Sequence, residues 1–231
     1  MKWIFDVDGT LTPSRGKIDP EFANYFLWFV KTHLVYLATG SDYPKTVEQL
    51  GEEICKEVQA SFNCSGNSIW VGGVEVYRTQ WKLEGLERQF FEQKLIESKF
   101  NIKTGNHIED RPGMANFSVV GRNASLEERF LYKQWDEHKN ERHQIAKEFA
   151  NTFGTTVTAQ VAGDTGIDIF PAGYDKSQIA DRVNGAVVFF GDKMMPGGND
   201  FPLAEKIMKR NAGRAIQVKD WKDTWERMKK V

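Results

Sequence analysis

Apolar and polar positions alternate in blocks that define elements directly. Lys2-Trp-Ile-Phe-Asp-Val is a short apolar run that stops at Asp8-Gly9-Thr10, which predicts a buried strand ending in a tight turn. Pro20 opens a helical spacing that runs to about residue 31, and Leu34-Val-Tyr-Leu-Ala is a second apolar strand ending at Thr39-Gly40. Another helix follows Pro44 and reaches about residue 59. This order predicts a parallel sheet with helical crossovers. Residues 69–77 then read as a hairpin with Gly72-Gly73 at its turn.

Beyond the hairpin the pattern changes. Residues 83–100 form a charged amphipathic helix, 114–120 a strand, 125–153 one long helical stretch and 155–161 another strand, which together predict a separate α+β unit. The βα alternation resumes with a helix near Asp175, the strand Ala186-Val-Val-Phe-Phe, a loop over 191–200, a helix, the strand Ala215-Ile-Gln-Val and a C-terminal helix. The expected fold is therefore α/β: a Rossmann-like core with a parallel sheet, over residues 1–82 and 173–231, and an inserted α+β cap over 83–172.

Composition narrows the function classes. The chain has 231 residues, enough for a sizeable core, and 31 basic residues nearly cancel 32 acidic ones. No global field draws it to nucleic acid or to an anionic membrane, so neither is an expected partner. Cys55 and Cys64 belong to no CxxC pair, and His33, His107, His138 and His143 lack metal spacing. The acidic Asp6 and Asp8 interrupt the apolar start, against a signal peptide, and the apolar stretch 26–38 is too short to span a bilayer. A soluble cytoplasmic protein is expected.

In open α/β sheets the reactive site lies at the carboxyl ends of the strands. Asp6 falls there on the first strand, Thr39 and Ser41 on the second, and Asp192 after the strand ending at Phe190. A hard dication such as Mg²⁺ takes carboxylate, water and phosphate oxygens, and Asp6 and Asp192 offer the carboxylates. Such an ion would let Asp6 attack a phosphate that otherwise repels it, with Asp8 moving the proton. Asp175 reads as an N-cap, so Lys176 would oppose the helix dipole in the first turn unless an anion lies nearby. Singly, each residue has a plainer reading: an Asp-Gly turn, a loop acid at Asp192, small polar loop residues at Thr39 and Ser41, helix capping by Asn199 and Asp200, and a solvated lysine.

Longer stretches carry a resemblance. Phe5-Asp6-Val7-Asp8-Gly9-Thr10-Leu11-Thr12 and Gly191-Asp192-Lys193-Met194-Met195-Pro196-Gly197-Gly198-Asn199-Asp200 resemble the nucleophile motif and metal-binding loop of the haloacid dehalogenase superfamily, most closely in its eukaryotic-type phosphomannomutases. The segment Asp168-Ile-Phe-Pro-Ala-Gly-Tyr-Asp-Lys176 resembles the return from cap to core that carries the core lysine. Thr39-Gly40-Ser41-Asp42 resembles the second phosphate motif, with Thr39 in place of the usual glycine; which of Thr39 and Ser41 touches phosphate stays open. In the cap, the stretch from Arg111 to Arg122 and Glu127-Glu128-Arg129 are similar to the mutase cap.

The resemblance implies Asp6, Asp8 and Lys176 as catalytic residues, and Asp6, Asp8 and Asp192 as the metal site, with Asn199 and Asp200 supporting the loop. It implies that Arg111, Arg122 and Arg129, with Arg15 from the core, hold the substrate's second phosphate in paired guanidinium bonds. Asp168 would contact sugar hydroxyls beside Gly166, which stands where the family has a serine. Pro112 also departs from the family pattern, and the segment before His107 is shorter. The implied activity interconverts mannose 6-phosphate and mannose 1-phosphate, with the glucose pair also considered, through an aspartyl phosphate and a hexose 1,6-bisphosphate activator, in a homodimer formed through the cap. A sugar-phosphate phosphatase on the same core and a non-catalytic sugar-phosphate binding protein are the competing readings.

Overall fold

A computed structural model describes residues 1–210 and 212–230. The chain divides into two compact units, residues 1–79 with 174–231 and residues 80–173.

The first unit is built on a seven-stranded sheet of order β11-β10-β1-β2-β3-β4-β5. Its strands are β1 (Lys2–Phe5), β2 (Leu34–Ala38), β3 (Ala60–Asn63), β4 (Ser68–Val71), β5 (Val74–Arg78), β10 (Val187–Gly191) and β11 (Gly213–Gln217). The five strands β11, β10, β1, β2 and β3 run parallel, and β4 and β5 add an antiparallel hairpin. Alternate side chains of β1 enter different cores. Trp3 and Phe5 pack with Phe26 and Phe29 of α1 (Pro20–Thr32), while Ile4 joins Ile179 of α7 (Gln178–Arg182) and Leu203 of α8 (Phe201–Met208). Burial on both faces is why β1, β2 and β10 read as unbroken apolar runs. Phe5 is fully buried and stacks on Phe190 with centroids 5.0 Å apart, which anchors the residue before Asp6.

The helix expected after Pro44 is two helices, α2 (Tyr43–Leu50) and α3 (Glu52–Glu57). Gly51 between them has φ of 87°, a left-handed turn that glycine adopts without steric cost. Strand β3 was not expected from the pattern. It is fully buried yet carries Ser61 and Asn63, which satisfy each other at 2.8 Å and reach Thr46 Oγ1 at 2.8 Å, so its polar residues hide a core strand. The C-terminal helix α9 (Trp221–Met228) is capped by Asp220 and closes the unit.

The second unit is a four-stranded antiparallel sheet of order β6-β7-β9-β8, with β6 (Ile108–Arg111), β7 (Met114–Phe117), β8 (Val157–Ala162) and β9 (Gly166–Pro171). One face carries Ala115, Phe117, Ile167 and Ile169. These pack on Phe91 of α4 (Gly85–Glu97), Tyr132 of α5 (Leu126–Lys139) and Phe149 of α6 (Glu141–Phe153). The helical stretch over 125–153 is likewise divided, at Asn140, which is left-handed at φ 55°. Strands β6 and β9 were missed: Ile108-Glu-Asp-Arg is charged, and β9 was read as the return to the core.

Candidate active site

The peptide N–H of Asp6 donates to Phe190 O at 2.9 Å, so the sheet ladder itself delivers this residue to the strand end. The chain then turns at once, with the N–H groups of Thr10, Leu11 and Thr12 all donating to Val7 O. Gly9 sits at φ 81°, and a β-carbon on it would collide with the Asp192 carboxylate. Glycine is required there for both reasons.

Three acidic residues converge beyond the ends of β1 and β10. One carboxylate oxygen each from Asp6, Asp192 and Asp200 lie within 4.8 Å of one another. Lys176 is their buried counter-charge, with Nζ 2.6 Å from Asp6 Oδ1 and 2.7 Å from Asp200 Oδ1. Asp200 also accepts the Lys193 N–H at 3.2 Å and makes no side-chain cap bond to α8. Its role is therefore the acidic cluster rather than helix capping. Asn199 beside it has a buried Oδ1 without a partner among the described residues.

Electrostatics agree with this geometry. Burial, with Asp200 and Asp192 as like charges, pushes the Asp6 carboxyl well above its ordinary value despite the opposing pull of Lys176. Burial and Asp200 raise Asp192 to about 6. Burial opposes the Lys176 charge, yet Asp200 and Asp6 outweigh it and keep the ammonium protonated. Fully ionised, three carboxylates and one ammonium leave two uncompensated negative charges in a buried site, the deficit that one dication cancels.

One expectation changes. Lys176 lies in the turn before α7, whose N-cap is Ser177; Asp175 Oδ1 instead accepts the Ser177 N–H at 2.8 Å. Its two carboxylate partners explain its place, not a helix dipole. The acidic trio takes its third carboxylate oxygen from Asp200 and none from Asp8. The Asp8 carboxylate takes hydrogen bonds from the Arg15 peptide N–H, from Gln49 Nε2 at 3.0 Å and from Ser41 Oγ at 3.3 Å. Gln49, on α2, also donates to Thr12 Oγ1 and Gly16 O, so it ties the turn after β1 together. No signal in the sequence links it to Asp8, 41 positions earlier.

Thr39 is buried, and its Oγ1 accepts the Ser41 N–H at 3.0 Å. Arg15 is held at φ 58° with a buried Nη1 that has no partner among the described residues.

In the second unit Glu109, which the sequence did not single out, accepts a hydrogen bond from Arg111 Nη2 at 2.7 Å and forms an ion pair with Arg122, whose Nε lies 2.6 Å away. Burial would raise its carboxyl, but the two guanidinium groups outweigh that and hold it below its ordinary value. Arg111 Nη1 is also 4.0 Å from Asp168 Oδ1. Arg129 lies in the first turns of α5, after a capping box formed by Ser125 and Glu128. Gly166 opens β9, two residues before Asp168.

A largely parallel sheet presents a carboxylate trio and a buried lysine at its strand ends, and the fold is that of haloacid dehalogenase superfamily proteins. The fold is shared with a subclass IIB sugar phosphatase of that superfamily (TM-score 0.60, 17% identity, covering 100% of this chain and 98% of that one). It is also shared with an IMP-nucleotidase from Plasmodium falciparum (TM-score 0.64, 14% identity, covering 98% of this chain), of which the chain spans 65%. A sequence profile described as eukaryotic phosphomannomutase matches residues 24–231, and the chain belongs to that family. It is 32% identical to a phosphomannomutase from Arabidopsis thaliana over 87% of this chain and 86% of that one.

Proposed function

We propose that the chain is a phosphomannomutase that passes a phosphoryl group between Asp6 and either end of a mannose phosphate, through a hexose 1,6-bisphosphate. The observation that carries the reading is the buried acidic trio with Lys176 at the end of β1. Lys176 holds Asp6 Oδ1, which leaves the second oxygen of that carboxylate as nucleophile. In one half-reaction the bond between phosphorus and Asp6 forms as the bond to the sugar oxygen breaks, and Asp8 supplies the proton to that oxygen; in the other, the bond to Asp6 breaks as a sugar hydroxyl attacks the phosphorus. In the return transfer Asp8 takes the proton from the attacking hydroxyl. Gln49 and the Arg15 N–H hold Asp8 for this task. Asp6, Asp192 and Asp200 would hold Mg²⁺, which when bound screens phosphate charge from the attacking carboxylate.

For the substrate's other phosphate the reading assigns Arg15, Arg111, Arg122 and Arg129, with Thr39 and Ser41 serving the reacting phosphate and Asp168 the sugar. Guanidinium groups recognise charge and tetrahedral shape, so one set accepts either orientation of the bisphosphate. A homodimer is part of the reading and is tested by sedimentation, where a monomer mass would remove it. Action in the cytoplasm is part of the reading; among the described residues no helix is long and apolar enough to cross a membrane.

The test is incubation with mannose 1-phosphate, Mg²⁺ and catalytic hexose 1,6-bisphosphate. Mannose 6-phosphate is the expected product. Free phosphate without the isomer would replace the mutase by a phosphatase, and binding without turnover would leave only a sugar-phosphate receptor.

A further inference from the structure

The face of the second sheet opposite its helices carries a row of polar side chains set by strand register. Glu109 pairs with Asn116, Asn116 with Asp168, and Asp168 with Gln160, so four neighbouring strands each contribute one residue to the row. Asn116 is buried, at 4% exposed, where an amide is costly unless both of its ends are bonded. Its Nδ2 donates to Asp168 Oδ1 at 2.6 Å. That bond fixes the amide's orientation, because the reversed amide would set oxygen against carboxylate. The other end, Oδ1, is buried without a partner among the described residues.

Gly166 explains why the amide fits. A β-carbon at 166 would lie 2.6 Å from Asn116 Nδ2 and 3.1 Å from Oδ1, so the amide occupies the space a side chain there would take. The start of β9 is also tied down, since Arg142 Nη1 donates to the carbonyls of Gly163 at 3.2 Å and Gly166 at 3.4 Å. A serine at 166 and this amide pose exclude one another.

We infer that Asn116 is a substrate-binding residue whose Oδ1 accepts a hydrogen bond from a hexose hydroxyl beside Asp168, in place of the serine hydroxyl that Gly166 removes. The inference rests on the hexose phosphate reading above. Asn116 Oδ1 and an ionised Asp168 only accept, so the matching ligand group must donate, as a sugar hydroxyl does and a phosphate dianion does not. Arg111, 4.0 Å from Asp168, is the adjacent cation for the ligand's charged substituent.

The experiment compares mannose 1-phosphate with its 2-, 3- and 4-deoxy analogues, in the wild-type protein and in Asn116→Ala, by kcat/KM. One deoxy analogue should lose about tenfold in the wild type, the worth of one such bond. Asn116→Ala should lose a similar factor on the parent sugar and show no further loss on that analogue, the signature of a coupled pair. Gly166→Ala, which displaces the amide without supplying a hydroxyl, should abolish the same discrimination. Equal penalties in variant and wild type, or no deoxy penalty in the wild type, would overturn the inference; the second result needs no variant to fold. A wild-type protein that fails to isomerise mannose 1-phosphate would instead remove the reading beneath it.

Discussion

Lys176→Met replaces the one ammonium that touches the acidic trio with an apolar side chain of similar length. Lys176 is 1% exposed and holds Asp6 and Asp200 at 2.6 and 2.7 Å, so no solvent screens what is left behind. Removing one partner of a buried ion pair costs about 3–5 kcal/mol. At about 2–4 °C per kcal/mol for a chain of this size, the metal-free variant should melt about 6–20 °C below the wild type. Bound Mg²⁺ supplies positive charge to the same carboxylates, so saturating Mg²⁺ should close part of that gap. The assay is thermal denaturation by circular dichroism near neutral pH, with chelator and with Mg²⁺. A variant that melts with the wild type in chelator, or whose deficit is unchanged by Mg²⁺, would refute the charge argument.

Other outcomes follow from the same contacts. Asp192 has a folded pKa of about 6 against an ordinary 3.8, and Asp6 is raised too, so their protonated forms favour the folded state. The Asp192 contribution is full below the ordinary value and lost as pH rises through about 6; the Mg²⁺-induced rise in melting temperature should therefore be larger at about pH 7.5 than at about pH 5, and a rise independent of pH would contradict the cluster. Gln49→Leu removes a donor from Asp8 and should lower kcat about 10–100-fold with little change in KM, within what a misplaced acid–base group costs. Gly9→Ala meets both a positive φ and the Asp192 carboxylate, and should weaken Mg²⁺ binding as read by titration calorimetry. Phe5→Ala should cost about 3–5 kcal/mol in urea denaturation, since Phe5 is fully buried against Phe190.

Much of the first unit was legible because strands buried on both faces write their own signal. β1, β2 and β10 are continuous apolar runs, and Asp6, Thr39 and Asp192 follow them directly in the chain. β3, β6 and β9 escaped because their polar residues find partners only in the fold: Asn63 with Thr46, Glu109 with two arginines, Asp168 with Asn116. Helix spacing ran through Gly51 and Asn140, since a single left-handed residue interrupts a helix without disturbing the apolar period around it. In the site, Asp6, Asp192 and Lys176 could be nominated from strand ends and motif. Asp200 was nominated only as a support for the loop, and Gln49, Glu109 and Asn116 looked like ordinary polar residues, because what they do depends on partners the linear order does not bring near.

Phosphorylation of Asp6 is what the account requires above all, and it can be read chemically. The protein is mixed with hexose 1,6-bisphosphate and Mg²⁺, quenched in acid, reduced with borohydride and digested for mass spectrometry. An acyl phosphate at Asp6 would appear as homoserine at position 6, and Asp6→Asn would abolish it. Conversion at Asp8, Asp192 or Asp200 instead, or turnover with every aspartate intact, would contradict the assignment of the nucleophile.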